Sequence, residues 1–292
     1  MAVVFRHSAL LFLGVVVAMA IGFALALASA AAPKPKLFAF LQLTDRGPGI
    51  DDDAAIWSIR LDGTGLRRLT VACTDCAGNP RFSPDGSLIA YEGIGRDYRG
   101  GLFVMRPDGS GKRRLCRCTF DGGEAWSPDG RQIAIGYSGI TIFTLGVGAR
   151  KVGGRSSHIA VDELDWSPDG RWFTFDDGGN RVWIVGSDGR HLRRLAQDAV
   201  APRFTPDSRS VVFSAVRRTG LFAVPVGGGP VTRVLAQPAY WANWSNDGTQ
   251  LAYFGRFGIH VRDLATGGER QVSIPKRVCL GASSCIELDW QH

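Results

Sequence analysis

Apolar and polar residues alternate in short runs along most of the chain, and the runs are strand-length. Leu88-Ile89-Ala90-Tyr91, Gln132-Ile133-Ala134-Ile135 and Gln250-Leu251-Ala252-Tyr253 each follow an Asp-Gly turn. Gly101–Met105 and Arg181–Val185 form further runs, again followed by Asp-Gly. Such runs, bounded by Gly, Pro and Asp, predict β-strands. In a Pro-Asp-Gly turn, proline presets φ, aspartate caps the backbone and glycine takes the position with φ > 0. Amphipathic helical spacing is almost absent after the N-terminus.

The pattern repeats. Arg81-Phe82-Ser83-Pro84-Asp85-Gly86 returns as Ala125-Trp126-Ser127-Pro128-Asp129-Gly130 and as Asp165-Trp166-Ser167-Pro168-Asp169-Gly170. Weaker copies are Phe204-Thr205-Pro206-Asp207-Ser208 and Trp244-Ser245-Asn246-Asp247-Gly248. The turn aspartates are spaced by 44, 40, 38 and 40 residues, the length of a four-stranded propeller blade. A first strand ends on the aromatic, two more follow, and Arg-Arg-Leu at 67–69, 113–115 and 193–195 marks the fourth. The first unit, from Leu37, lacks its own first strand. Ile286-Glu287-Leu288-Asp289-Trp290 matches Asp162-Glu163-Leu164-Asp165-Trp166 and supplies it. The expected fold is all-β: a six-bladed β-propeller over residues 33–292, closed by its C-terminal strand with no free edge between first and last blades. The turn aspartates read as architectural, and Trp126, Trp166, Trp244 and Trp290 as packing between blades.

Residues 1–32 read differently. Arg6 precedes an uncharged run of 20 residues, Ala9 to Ala28, ending in the small-residue site Ala28-Ser29-Ala30. This is an export signal, either cleaved near Ala30 or kept as an N-terminal membrane anchor helix. Membrane contact is expected only through residues 9–28, if uncleaved. The net charge of +7 falls to +4 once Arg6, Lys34 and Lys36 are set aside. The remaining basic pairs recur at outer-strand positions instead of collecting on one face, which argues against nucleic-acid binding.

The Trp-Ser-Pro-Asp-Gly unit, its following apolar strand and the exit Pro107-Asp108-Gly109-x-x-x-Arg113-Arg114-Leu115 resemble the TolB-type propeller repeat, from about Leu37 to Trp290. TolB, the propellers of prolyl oligopeptidase relatives and some lyases share it. The resemblance implies an extracytoplasmic interaction module. TolB's N-terminal α/β domain has no room between Pro33 and Leu37, so a Tol–Pal role is not carried over.

Catalytic motifs are missing. Gly136-Tyr137-Ser138-Gly139 lacks the spacing of a nucleophile elbow, and Arg113 stands where a P-loop needs Ser or Thr after Lys112. His158, His191 and His260 each stand alone; His191 reads as surface and His260 as partnered. Asp51-Asp52-Asp53 is an acidic loop without the calcium-loop spacing. No cofactor or metal is expected.

The candidate site is the axial mouth. One residue before each aromatic stand Arg81, Ala125, Asp165, Arg203, Asn243 and Asp289; three before stand Asn79, Gly123, Glu163, Ala201, Trp241 and Glu287. A period of two puts both sets on one strand face, toward the axis. Arg81, Glu163, Asp165, Arg203, Trp241, Asn243, Glu287 and Asp289 are therefore the expected mouth, either self-paired and filling the tunnel or seating a polar ligand or peptide. The expected function is a non-catalytic, monomeric binding propeller, outside the cytoplasm, for an envelope or secreted protein. The alternative is a lyase or hydrolase using carboxylates such as Glu163 and Asp165 as acid and base.

The six cysteines fall as Cys73/Cys76, Cys116/Cys118 and Cys279/Cys285, all near the ring closure. Export favours disulfides. Cys279–Cys285 is a comfortable loop, whereas a Cys116–Cys118 bond is expected to be strained, which leaves cross-blade pairing open. A four-cysteine zinc site from Cys73, Cys76, Cys116 and Cys118 is the competing reading.

Overall fold

The computed structural model describes residues 36–44, 53–71, 78–94, 99–118, 122–152, 159–245, 247–255, 258–276, 278–279 and 285–291. The export segment, Asp51, Asp52, Cys73, Cys76 and His158 lie outside them. Among the described residues there is no helix long and apolar enough to cross a membrane.

Six antiparallel four-stranded sheets form the molecule. Blade 1 runs from its inner strand Cys285–Trp290 outward through Leu37–Thr44 and Asp53–Arg60 to Arg67–Arg68. The other inner strands are Gly78–Phe82 (blade 2), Glu124–Trp126 (blade 3), Asp162–Trp166 (blade 4), Ala199–Phe204 (blade 5) and Tyr240–Trp244 (blade 6). Each inner strand touches the next, and that of blade 6 touches that of blade 1. The ring is closed as expected: Phe38 pairs with Trp290 and Gln42 with Cys285.

Each sheet is buried on both faces, so second strands such as Ser210–Ala215 are almost continuously apolar. Six apolar clusters result, one between each pair of neighbouring blades; Phe38, Phe254 and Trp290 join blades 1 and 6, and Trp126 joins blades 2 and 3. The turns between first and second strands are built alike. Ser127 Oγ donates to Asp129 at 2.6 Å and accepts the Gln132 N–H at 2.9 Å, while Asp129 accepts the Arg131 N–H. These bonds hold the Asp85, Asp129 and Asp207 carboxyls below the usual range.

Two disulfides are present among the described residues. Cys116 and Cys118 bond each other across Cα atoms 5.4 Å apart, and Cys279 bonds Cys285 at 5.5 Å. The first corrects both the cross-blade pairing and the zinc alternative: the Cα separation already lies in the range a local bond requires. Cys279–Cys285 pins the start of the closing strand.

Candidate functional site

The inner strands are not regular. Asn79, Gly123, Glu163, Ala201, Trp241 and Glu287 all have positive φ, from 42° at Glu163 to 69° at Gly123. Register slips by one residue between Gly78 and Arg81, Asp162 and Asp165, Val200 and Arg203, and Tyr240 and Asn243. Each of these strands therefore carries a β-bulge, and the expected period-two relation between the two sets of axial residues does not hold across it.

Carboxylates from the preceding blade bind the N–H groups around the bulges. Glu287 of blade 1 accepts the Asn79 N–H of blade 2, and Asp176 of blade 4 accepts the Ala201 N–H of blade 5 at 3.0 Å. One step along, Asp289 accepts the Phe82 N–H at 2.5 Å and Asp165 the Phe204 N–H at 2.8 Å. These four acids latch blade to blade.

Arg81 and Arg203 project from blades 2 and 5, on opposite sides of the ring. Both guanidiniums reach Glu163 Oε2, at 3.2 and 3.0 Å, and each also donates to its own preceding proline carbonyl. The bridge joins blades 2, 4 and 5 across the axis. Burial pushes the Glu163 carboxyl well up, and Arg81 opposes that push. Burial likewise raises Asp165 and Glu287 to about 7 and Asp176 to about 6.

Above the bridge lies a cavity of about 330 Å³. Its walls are Phe82, Trp126, Trp166, Phe204 and Trp244 with the turn prolines 84, 128, 168 and 206, and its polar lining is Arg81, Asp165, Arg203, Asn243, Ser245 and Asp289. A second hollow of about 370 Å³ between the turns of blades 2 and 3 shares Pro84, Trp126 and Pro128 with it. Apolar walls around a few fixed polar groups are the usual make-up of a binding site.

Of the eight residues expected at the mouth, Arg81, Asp165, Arg203, Asn243 and Asp289 line this cavity. Glu163 lies in the bridge and Glu287 in a latch, while Trp241 packs on the core between blades 6 and 1. His191 is exposed, and His260 Nδ1 is 2.9 Å from Glu269. Sequence reasoning missed the second role of the tryptophans, which pack between blades and also wall the cavity; their place beside the axial residues was the available signal. It also missed Asp176 and Glu124, which sit where neighbouring repeats carry other residue types.

These features define a closed six-bladed β-propeller with an axial well lined by aromatic rings and charged groups. No protein-family model matches the chain. The uncharacterized protein Atu1656 of Agrobacterium fabrum is 28% identical over 155 residues, covering 48% of this chain and 51% of that protein. The uncharacterized peptidase YuxL of Bacillus subtilis is 28% identical over 146 residues, covering 47% of this chain and 21% of its own. The chain thus matches about half of the first relative and a fifth of the second. Among solved structures, TolB from Acinetobacter baumannii superposes with a TM-score of 0.64 at 17% identity, over 94% of this chain and 71% of TolB. A chain of the nidogen/laminin complex gives 0.67 at 14% identity, over 88% and 98%. Oligogalacturonate lyase from Vibrio parahaemolyticus gives 0.52 at 14%, over 83% and 75%. The fold is the TolB-like six-bladed propeller.

Proposed function

We propose that this chain is an exported, monomeric, non-catalytic propeller that binds a segment of an envelope or secreted protein at the axial mouth. One observation carries the reading: the well and the hollow between blades 2 and 3 share Pro84, Trp126 and Pro128, so an extended ligand seated at the mouth has a second recess directly beside it. The bulges, latches and bridge preorganise that seat, so little ordering cost falls on binding. Residues 1–32 supply export and 33–292 the binding domain, and two disulfides suit an oxidising compartment. Likeness to TolB and to a chain of the nidogen/laminin complex supports a protein partner.

The test is cross-linking of the full chain in an envelope, followed by identification of what copurifies. With D165A and R203A combined, recovery of that partner should fall at least about tenfold, as expected when a buried charged anchor is lost. Undiminished recovery by a variant that still melts cooperatively would refute the mouth as the binding site.

The lyase likeness, with a carboxyl at about 7 on Asp165, favours a second reading in which Asp165 exchanges a proton with a bound glycan. A retained oligosaccharide that is turned over by the wild-type chain and not by D165N would establish it.

A further inference from the structure

The inner strands repeat after three blades. Glu163-Leu164-Asp165-Trp166 of blade 4 returns as Glu287-Leu288-Asp289-Trp290 of blade 1, and Pro80-Arg81-Phe82 of blade 2 as Pro202-Arg203-Phe204 of blade 5. Blades 3 and 6 place Ala125-Trp126 against Asn243-Trp244. The mouth thus has an approximate two-fold axis along the shaft, reading acid, base, small or amide residue, and then the same again.

The two halves share the Asp-to-Phe latch; below it Glu287 holds a bulge N–H where Glu163 instead holds both arginines, and at the mouth itself they differ at one corner. In one half the Asn243 amide of blade 6 donates to Asp289 Oδ1 of the adjoining blade 1. In the other half the residue beside Asp165 is Ala125 of blade 3, whose methyl donates nothing. Among the described residues no side chain donates a hydrogen bond to Asp165; its bond to a neighbouring blade is to the Phe204 N–H. Ala125, Asp165 and Trp166 line the cavity at this corner, and Trp126 lines it on the blade 2 side.

We infer that the Ala125 corner receives a cationic nitrogen from a basic side chain of the bound segment, donating to Asp165 as the Asn243 amide donates to Asp289. This rests on the reading of the mouth as a protein-binding site. A cation is favoured over a neutral amide for two reasons. The floor and the layer beneath it carry four acids, Glu163, Asp165, Glu287 and Asp289, against two bases, Arg81 and Arg203, and both bases are already held on Glu163. The indole of Trp166 also packs in the same layer as Ala125, and an indole is the best aromatic partner for a cation.

The test titrates the full chain at pH 8 with Nα-acetyl-lysine amide and with its uncharged near-isostere Nα-acetyl-norleucine amide, following the indole N–H signals of Trp126 and Trp166. The lysine compound should bind about tenfold tighter or more, as a charge-assisted hydrogen bond allows. A125N should abolish that preference by supplying the protein's own amide to Asp165. Asparagine there would stand in the register that Asn243 occupies, since Ala125 lies opposite Ala134 as Asn243 lies opposite Ala252. D165N keeps the shape, loses the charge and should abolish the preference too, so the test does not depend on one variant folding. Equal binding of the two amides, or a lysine preference that survives D165N, would overturn the inference. If that happens while D165A with R203A still releases the copurified partner, the mouth reading stands and only the basic side chain falls. A partner indifferent to that double change removes the mouth reading itself.

Discussion

At the residue scale, Glu124 is a costly placement. It occupies the inner-strand position that holds Leu164 in blade 4 and Leu288 in blade 1, paired with Ile135 in the layer between blades 2 and 3. It is 0% exposed, and neither carboxyl oxygen has a hydrogen-bond partner. Burial pushes its carboxyl well above the ordinary range, with Arg81 opposing. E124L should therefore stabilise the fold, by about 1–3 kcal/mol, the cost of an unsatisfied buried polar group, measured by urea unfolding. A pH dependence follows from the same group together with Asp165 and Glu287, both near 7. Between about pH 4, where unfolded carboxyls ionise, and about pH 7, the folded chain holds more protons than the unfolded one. Stability should fall as pH rises through that window, and E124L should flatten part of the slope. Equal or greater stability at pH 8 than at pH 5 would contradict this account of the buried acids.

At the scale of the element, the inner-strand bulge and the Ser-Pro-Asp-Gly turn do most to shape the mouth. Ala201 sits at φ 51°, a conformation that costs an L-residue about 1 kcal/mol and glycine little. A201G should be neutral or stabilising in a thermal melt, and a lowered melting temperature would contradict this reading of the bulge. D129A should cost about 1 kcal/mol, because it unties both Ser127 Oγ and the Arg131 N–H. Turns and strands were legible in the sequence because proline, aspartate and glycine announce their backbone roles. The bulges were not, because four of the six positive-φ positions lie on Glu, Ala and Trp residues, which carry no signal for positive φ. That is also why the axial face was overcounted: without the bulge, period two appears to aim Glu163, Trp241 and Glu287 where Arg81 and Asp165 point.

For the whole molecule, closure is the governing fact. The closing strand Cys285–Trp290 completes blade 1, supplies Asp289 to the mouth and Glu287 to a latch, and buries Trp290 against Phe38 at 4.9 Å between ring centroids. W290A should cost about 3–5 kcal/mol and lower the melting temperature, as the loss of a buried tryptophan does. The near repetition of residues 162–166 at the C-terminus made closure readable, whereas the partner is written only in the shape and charge of the well. The central claim, that the axial mouth is where this propeller binds, is tested most directly by indole N–H spectra of the full chain with the partner segment recovered by cross-linking. Trp126, Trp166 and Trp244 line the mouth, while Trp57, Trp172 and Trp183 lie on strands farther from the axis. The account predicts shifts at the first three and none at the second three; shifts confined to the second three would place the binding surface on the outside of the ring and contradict it.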